Sequence, residues 1–319
     1  MTEEDVRNLL AGMKVLPGMI AAVQCSEGRV TVVLEAAPEK AAALEPLRAD
    51  IERELASRKG VSKAQVILTA ERSLLPGVKR VIAIASGKDS VGKSTIAVNL
   101  AVAAAQNGLK TGLLDADIYG PSLPLLMGVK SEPPPLDDNK KMIPPVAHGV
   151  KVMSIGFMVD AEKALVWRGP MVHSAITQML RDVAWGDLDV LYIDMPPGTG
   201  DAQLTLAKMG RLSGAIIVST PQDLALADAR RGIAMFRQVN VPILGIIENM
   251  SHYCCPNCGQ RAEIFGHGGA KAEAEKLGVP FLGEIPLDMA MRETGDSGLP
   301  VVLREPEGAH AIMFRKMAT

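Results

Sequence analysis

Gly87-Lys88-Asp89-Ser90-Val91-Gly92-Lys93-Ser94-Thr95 fits the phosphate-loop spacing G-x-x-x-x-G-K-[ST] and follows an apolar run, Val81–Ala85, that reads as a strand. Glycines let the backbone approach closely enough for its N–H groups to point at phosphate oxygens, and the helix expected over Ile96–Ala105 adds its positive pole. On this spacing the Lys93 ammonium reaches the β- and γ-phosphates, the Ser94 hydroxyl ligates Mg²⁺, and Thr95 follows on the same helix toward the α-phosphate. The loop thus predicts a nucleoside triphosphate with its magnesium ion.

Outward from the loop, apolar runs recur at Val81–Ala85, Thr111–Leu114, Val190–Ile193, Ala215–Ser219, Ile243–Ile247 and Phe281–Ile285, separated by helical stretches. Strands that are apolar throughout and alternate with helices predict a mainly parallel sheet covered on both faces. Ligands of such sheets sit at the carboxyl ends of the strands. There the chain places Gly87–Thr95, then Asp115 and Asp117, then Asp194, and later Asn249. Ser131–Pro145, rich in proline, reads as an irregular surface excursion, and Glu305–Thr319 as a short segment of mixed character.

Upstream, residues 1–70 read as a separate small α/β unit, with 71–79 as linker and 80–319 as the domain that carries the phosphate loop. Within the small unit, Ala43, Leu44, Leu47, Ile51 and Leu55 recur at helical steps and form a stripe that needs a sheet to cover it.

With 319 residues, 48% hydrophobic and 22% charged, the chain has ample material for a core. A net charge of −2 with both signs intermixed predicts no nucleic-acid partner. No apolar run is long enough for a membrane span, and the acidic start Met1-Thr2-Glu3-Glu4-Asp5 is unlike a signal peptide. These features predict a cytoplasmic protein with no membrane partner. There its four cysteines stay reduced.

Two of them, in Cys255-Pro256-Asn257-Cys258, put soft ligands on one tight turn, which is half of a four-thiolate shell. The turn suits a zinc knuckle completed by Cys254 or His252, a redox pair, or a cluster shared by two copies of the chain across a two-fold axis. Structural zinc normally draws four ligands from one chain, and a redox thiol needs an activating helix terminus. Cys25, on an expected strand, reads as a buried, unreactive thiol.

The loop resembles the deviant phosphate loop of the nitrogenase iron protein and MinD class, in which an early lysine, here Lys88, crosses a dimer interface to the partner's nucleotide. Asp115-Ala116-Asp117 and Asp194-Met195-Pro196-Pro197-Gly198 stand where that class has its two switch motifs. The likeness implies that Asp117 positions the attacking water, Asp194 holds Mg²⁺ through its water shell, and the Gly198 N–H bonds the γ-phosphate. Where the class has Gly-Gly, this chain has Asp89-Ser90, which predicts a backbone cost of about 1 kcal/mol and weakened nucleotide turnover.

Asp115–Ser122, Trp167–Met171, Asp194–Asp201 and Glu248–Ser251 before Cys255-x-x-Cys258 occur in the order found in the Mrp/ApbC (Nbp35-like) iron–sulfur cluster carrier ATPases, which the chain resembles from about Lys79 onward. The resemblance implies a P-loop NTPase that acts as a homodimer and uses the binding and hydrolysis of ATP to change its conformation. It would hold a bridging [4Fe–4S] cluster on Cys255 and Cys258, contact adenine through Asn249, and exchange the cluster with scaffold proteins and apo-proteins. The first seventy residues are similar in architecture to the MIP18-like (DUF59) iron–sulfur assembly domain. Two rival readings are a MinD/ParA-like positioning ATPase, which would need a basic amphipathic C-terminal helix or a basic DNA face, and a zinc-stabilised nucleotide-binding scaffold.

Overall fold

The computed structural model describes residues 2–13, 15, 19–26, 28–36, 38–70, 74–158 and 169–318, with backbone alone at 21, 35, 36, 38–42 and 70. The chain forms two units, Met1–Ser73 and Leu74–Thr319.

In the first unit the order is α1 (Glu3–Gly12), β1 (Ile20–Ser26), β2 (Arg29–Ala36), α2 (Pro38–Ala56) and β3 (Lys63–Ala70). Thr2 caps α1, its hydroxyl accepting from the Asp5 N–H while the Asp5 carboxylate accepts from the Thr2 N–H. The sheet runs β1-β2-β3, antiparallel and then parallel, so α2 is the crossover between β2 and β3. Leu47, Ile51 and Leu55 bring the stripe of α2 onto a core of Val6, Leu10, Val30, Val32 and Leu34. Ala43, at the start of the expected stripe, is exposed.

The second unit is a nine-stranded sheet among the described residues. Its strands are β4 (Val81–Ala85), β5 (Thr111–Asp115), β6 (Val146–Ala147), β7 (Val150–Ser154), β8 (Val190–Asp194), β9 (Gly214–Ser219), β10 (Ile243–Cys254), β11 (Arg261–Ala262) and β12 (Phe281–Leu287). The order is β11-β10-β9-β4-β8-β5-β7-β6, with β12 on β10, and only the short β6 and β11 are antiparallel. β4 lies between β8 and β9, neither of them its neighbour in sequence, so the chain leaves the centre in both directions and opens a crevice at the end of β4.

The helices are α3 (Lys93–Gln106), α4 (Leu123–Leu126), α5 (Gly169–Arg181), α6 (Asp201–Met209), α7 (Asp223–Gln238), α8 (Gly269–Leu277), α9 (Met289–Asp296), α10 (Val301–Arg304) and α11 (Ala309–Met317). α3 is apolar all round, and Ile96 through Ala104 are buried. α11 packs on it, with Ala311 and Phe314 fully buried, so the C-terminal segment is a helix rather than irregular chain. β7 is a further strand that the sequence reading lacked; it pairs in parallel with β5 directly after the proline-rich excursion. That excursion carries isolated bridges, Leu136 to Met142 and Met142 to Val183, without helix or strand. Of the expected linker, 71–73 lie outside the described residues; Val78 bridges Leu188 and Lys79 pairs with Asp189, so 74–79 belong to the larger unit.

Candidate nucleotide site and thiol hairpin

The phosphate loop leaves β4 at a turn where the Ser86 hydroxyl donates to the Lys88 carbonyl at 2.8 Å. It enters α3 through Gly92, whose φ of 79° is left-handed. Two glycines are required by close approach: a Cβ on Gly87 would collide with the backbone of Asp228 in α7, and one on Gly92 with the Asn249 amide. Of the Asp89-Ser90 pair it is Ser90 that takes a left-handed φ, 62°, so the expected strain falls on that residue alone. Lys88, Asp89 and Ser90 are exposed, and Ser94 and Thr95 are half-buried. With Lys93, Asp117 and Pro197 they line a cleft of about 270 Å³.

Behind the loop, Lys93 is only 6% exposed and its ammonium donates to Asp194 Oδ1 at 2.5 Å, with Asp117 Oδ2 at 3.7 Å. The pair neutralises the buried Asp194, whose Oδ2 is buried with no hydrogen-bond partner. An orphaned, fully buried carboxylate oxygen beside a phosphate loop fits the water shell of a magnesium ion. Burial raises the pKa of Asp117, against the pull of Lys93.

Asp115 plays a part that its place at a strand end did not reveal. Its Oδ1 accepts from the Asp117 N–H, and its Oδ2 from the N–H groups of Ser122 and Leu123 and from the Ser154 hydroxyl. It therefore holds the turn that presents Asp117. Burial, and next the charge of Asp194, push its pKa up to about 7.

Gly198, at φ 86°, donates its N–H to the Ser86 carbonyl at 3.2 Å. Gln203, 2% exposed, donates to the carbonyls of Pro196 and Pro197 and so ties the start of α6 to that turn. Nothing in the sequence marked Gln203. Trp167 and Arg168 lie outside the described residues, and Gly169-Pro170-Met171 opens α5.

Asn249 lies beneath the loop, 6% exposed, with its amide donating to the Val91 carbonyl at 2.8 Å. Its neighbour Glu248 is fully buried and accepts from the Gly268 and Ala270 N–H groups, which anchors the start of α8. Sequence reasoning placed Glu248 in a motif but gave its carboxylate no role.

Past Asn249, β10 bends at Met250, φ 55°, and continues to Cys254, where it pairs with β11 through Tyr253–Ala262 and Cys254–Arg261. The thiol turn is the tip of this hairpin, closed by the Gly259 N–H on the Cys255 carbonyl and the Cys255 N–H on the Gln260 carbonyl. Cys254 and Cys258 are exposed and Cys255 is half-buried; none of them is in a disulfide. The N–H groups of Asn257 and Cys258 aim at the Cys255 sulfur and hold its pKa below the ordinary thiol value. Cys25 is partly buried in the small unit, and burial raises its pKa.

A phosphate loop at the central strand of a mainly parallel sheet, with the buried Asp194 and the Asp117 turn beside it, defines a P-loop NTPase of the MinD-like type. The ParA family model, described as NUBPL iron-transfer P-loop NTPase, matches residues 77–319, and the chain belongs to that family. It is 57% identical over 245 residues to an Arabidopsis thaliana protein named iron-sulfur protein required for NADH dehydrogenase, mitochondrial, covering 76% of this chain and 78% of that protein. To the Escherichia coli K12 iron-sulfur cluster carrier protein it is 51% identical over 242 residues, 76% of this chain and 66% of that one. Among solved structures, a nucleotide-binding protein from Archaeoglobus fulgidus in complex with ADP superposes with a TM-score of 0.64 at 40% identity, over 75% of this chain and 93% of that one. The cell-division ATPase MinD of Pyrococcus furiosus superposes with a TM-score of 0.57 at 25% identity, over 75% of this chain and 96% of that one. No helix among the described residues is long and apolar enough to cross a membrane.

Proposed function

We propose that this chain is an ATP-dependent iron–sulfur cluster carrier that works as a homodimer. Cys255 and Cys258 of each copy hold a [4Fe–4S] cluster as cargo, taken from a scaffold protein and passed to apo-proteins. The observation that carries the reading is the continuity of β10: one strand supports the phosphate loop through Asn249 and ends in the exposed thiol turn. Relatives named as cluster carriers support the cargo, and the ADP-bound neighbour supports the nucleotide. The small unit, in this reading, is a MIP18-like domain that serves the same traffic.

At the nucleotide, Lys93 neutralises phosphate charge, Asp117 orients the attacking water, and Asp194 and Ser94 hold Mg²⁺, whose chemistry is charge stabilisation of the transferred phosphoryl group. The Gly198 N–H exchanges the Ser86 carbonyl for the γ-phosphate, and Lys88 reaches the partner's nucleotide. Asp89 brings negative charge toward the triphosphate and Ser90 costs backbone energy, so turnover is slow.

Anaerobic reconstitution with iron and sulfide, followed by absorption spectra and gel filtration, tests the reading. A brown dimer with about four irons, lost in both Cys255→Ala and Cys258→Ala, is expected. Zinc at about one per chain in a colourless protein, lost in both Cys255→Ala and Cys258→Ala, would instead support the scaffold reading.

A further inference from the structure

Beside the hairpin the fold gathers His252 on β10, His267 in the loop that enters α8, and Glu284 on β12, one donor atom of each within 4.8 Å of the others. His267 Nε2 lies 2.9 Å from Glu284 Oε2, and His252 Nδ1 lies 4.0 Å from Glu284 Oε1. Tetrahedral bonds of about 2.0–2.1 Å set donor atoms about 3.3 Å apart, so small rotamer changes bring these atoms into ligating geometry. The two rings meet edge to face rather than stacked, with centroids 6.1 Å apart. An ion pair explains His267 with Glu284, and the Ser251 hydroxyl, 3.0 Å from His252 Nδ1, partners His252, but neither contact accounts for all three side chains converging on one point.

We infer that His252, His267 and Glu284 bind one divalent first-row metal ion, of the zinc or ferrous class, separately from the thiols. Two imidazoles and a carboxylate suit these ions and leave positions open for water or a further ligand. Side-chain exposures of 13%, 32% and 36% make the site half-open, backed by protein and reachable from solvent. Glu263 Oε1 stands 4.0 Å from His267 Nδ1, where it can orient the ring. The nearby Arg261 guanidinium lies 3.8 Å from Glu263, which offsets its repulsion of a cation. A bound ion would join β10, β12 and the loop before α8, and so brace the base of the thiol hairpin.

The test uses the full chain with Cys254, Cys255 and Cys258 replaced by serine, so its outcome is independent of the carrier reading. Calorimetric titration with Zn²⁺ is expected to give one ion per chain, and Co²⁺ a visible band of nitrogen and oxygen ligation. Adding Glu284→Gln or His267→Ala should weaken Zn²⁺ binding by more than about tenfold and abolish the zinc-dependent rise in melting temperature. Should His267→Ala fold poorly, Glu284→Gln keeps the side-chain shape and still reports. No binding by the serine variant, or binding that Glu284→Gln leaves unchanged, would overturn the inference.

Discussion

Lys93 and Asp194 neutralise each other in a buried setting, so their loss separates stability from chemistry. Lys93→Met strands the Asp194 carboxylate and should cost about 3–5 kcal/mol. The double change Lys93→Met/Asp194→Asn should recover most of that in a thermal melt while ATP turnover stays absent; a melt as low as that of the single variant would refute the pairing argument. At Ser90 the left-handed φ of 62° predicts that Ser90→Gly raises stability by about 0.5–1 kcal/mol and quickens turnover, both measurable on one preparation. Asp115 gives a pH signature. Its pKa is about 7 in the fold against 3.8 in a free chain, so between these values the unfolded chain releases a proton that the folded chain keeps. The contribution of this group to stability therefore falls as pH rises from about 4 to 7 and is level above. The advantage of Asp115→Asn over the parent in melting temperature should grow across that window and stay constant above it. Lys93, Asp117 and Asp194 were legible because a linear motif names them. The anchoring roles of Asp115, Gln203 and Glu248 were not, since their partners Ser154, Pro196, Pro197, Gly268 and Ala270 reach them only through sheet and turn geometry.

The element that most repays attention is β10. The apolar run Ile243–Ile247 announced its first half, whereas residues 248–254 are mixed in polarity and, past the Glu248–Ser219 pair with β9, form strand by pairing with β12 and β11 across a register shift. Asn249→Ala removes the hydrogen bond to Val91 and should weaken ATP binding by about five- to tenfold, with iron content after reconstitution unchanged. Equal ATP affinity in the variant would mean that the loop holds its shape without the strand beneath it. Other elements were hidden for related reasons. β7 is five residues long and follows a proline-rich stretch, and α11 shows too few turns for a helical period to emerge.

At the scale of the molecule, the strand runs and their polar ends sufficed to read the parallel sheet and the position of the loop. Each unit buries its own cluster of apolar side chains. A chain begun at Leu74 should accordingly fold and bind Mg-ATP as the full chain does, and calorimetry of the full chain should resolve two unfolding transitions; an insoluble or nucleotide-blind truncation would count against this.

The walls behind the phosphate loop also decide which of its letters are free to drift. Gly87 is pressed against the main chain of α7 and Gly92 against Asn249, whereas positions 89 and 90 are exposed at the lip of the cleft. Substitution is thus permitted where the loop meets solvent and forbidden where it meets its own scaffold.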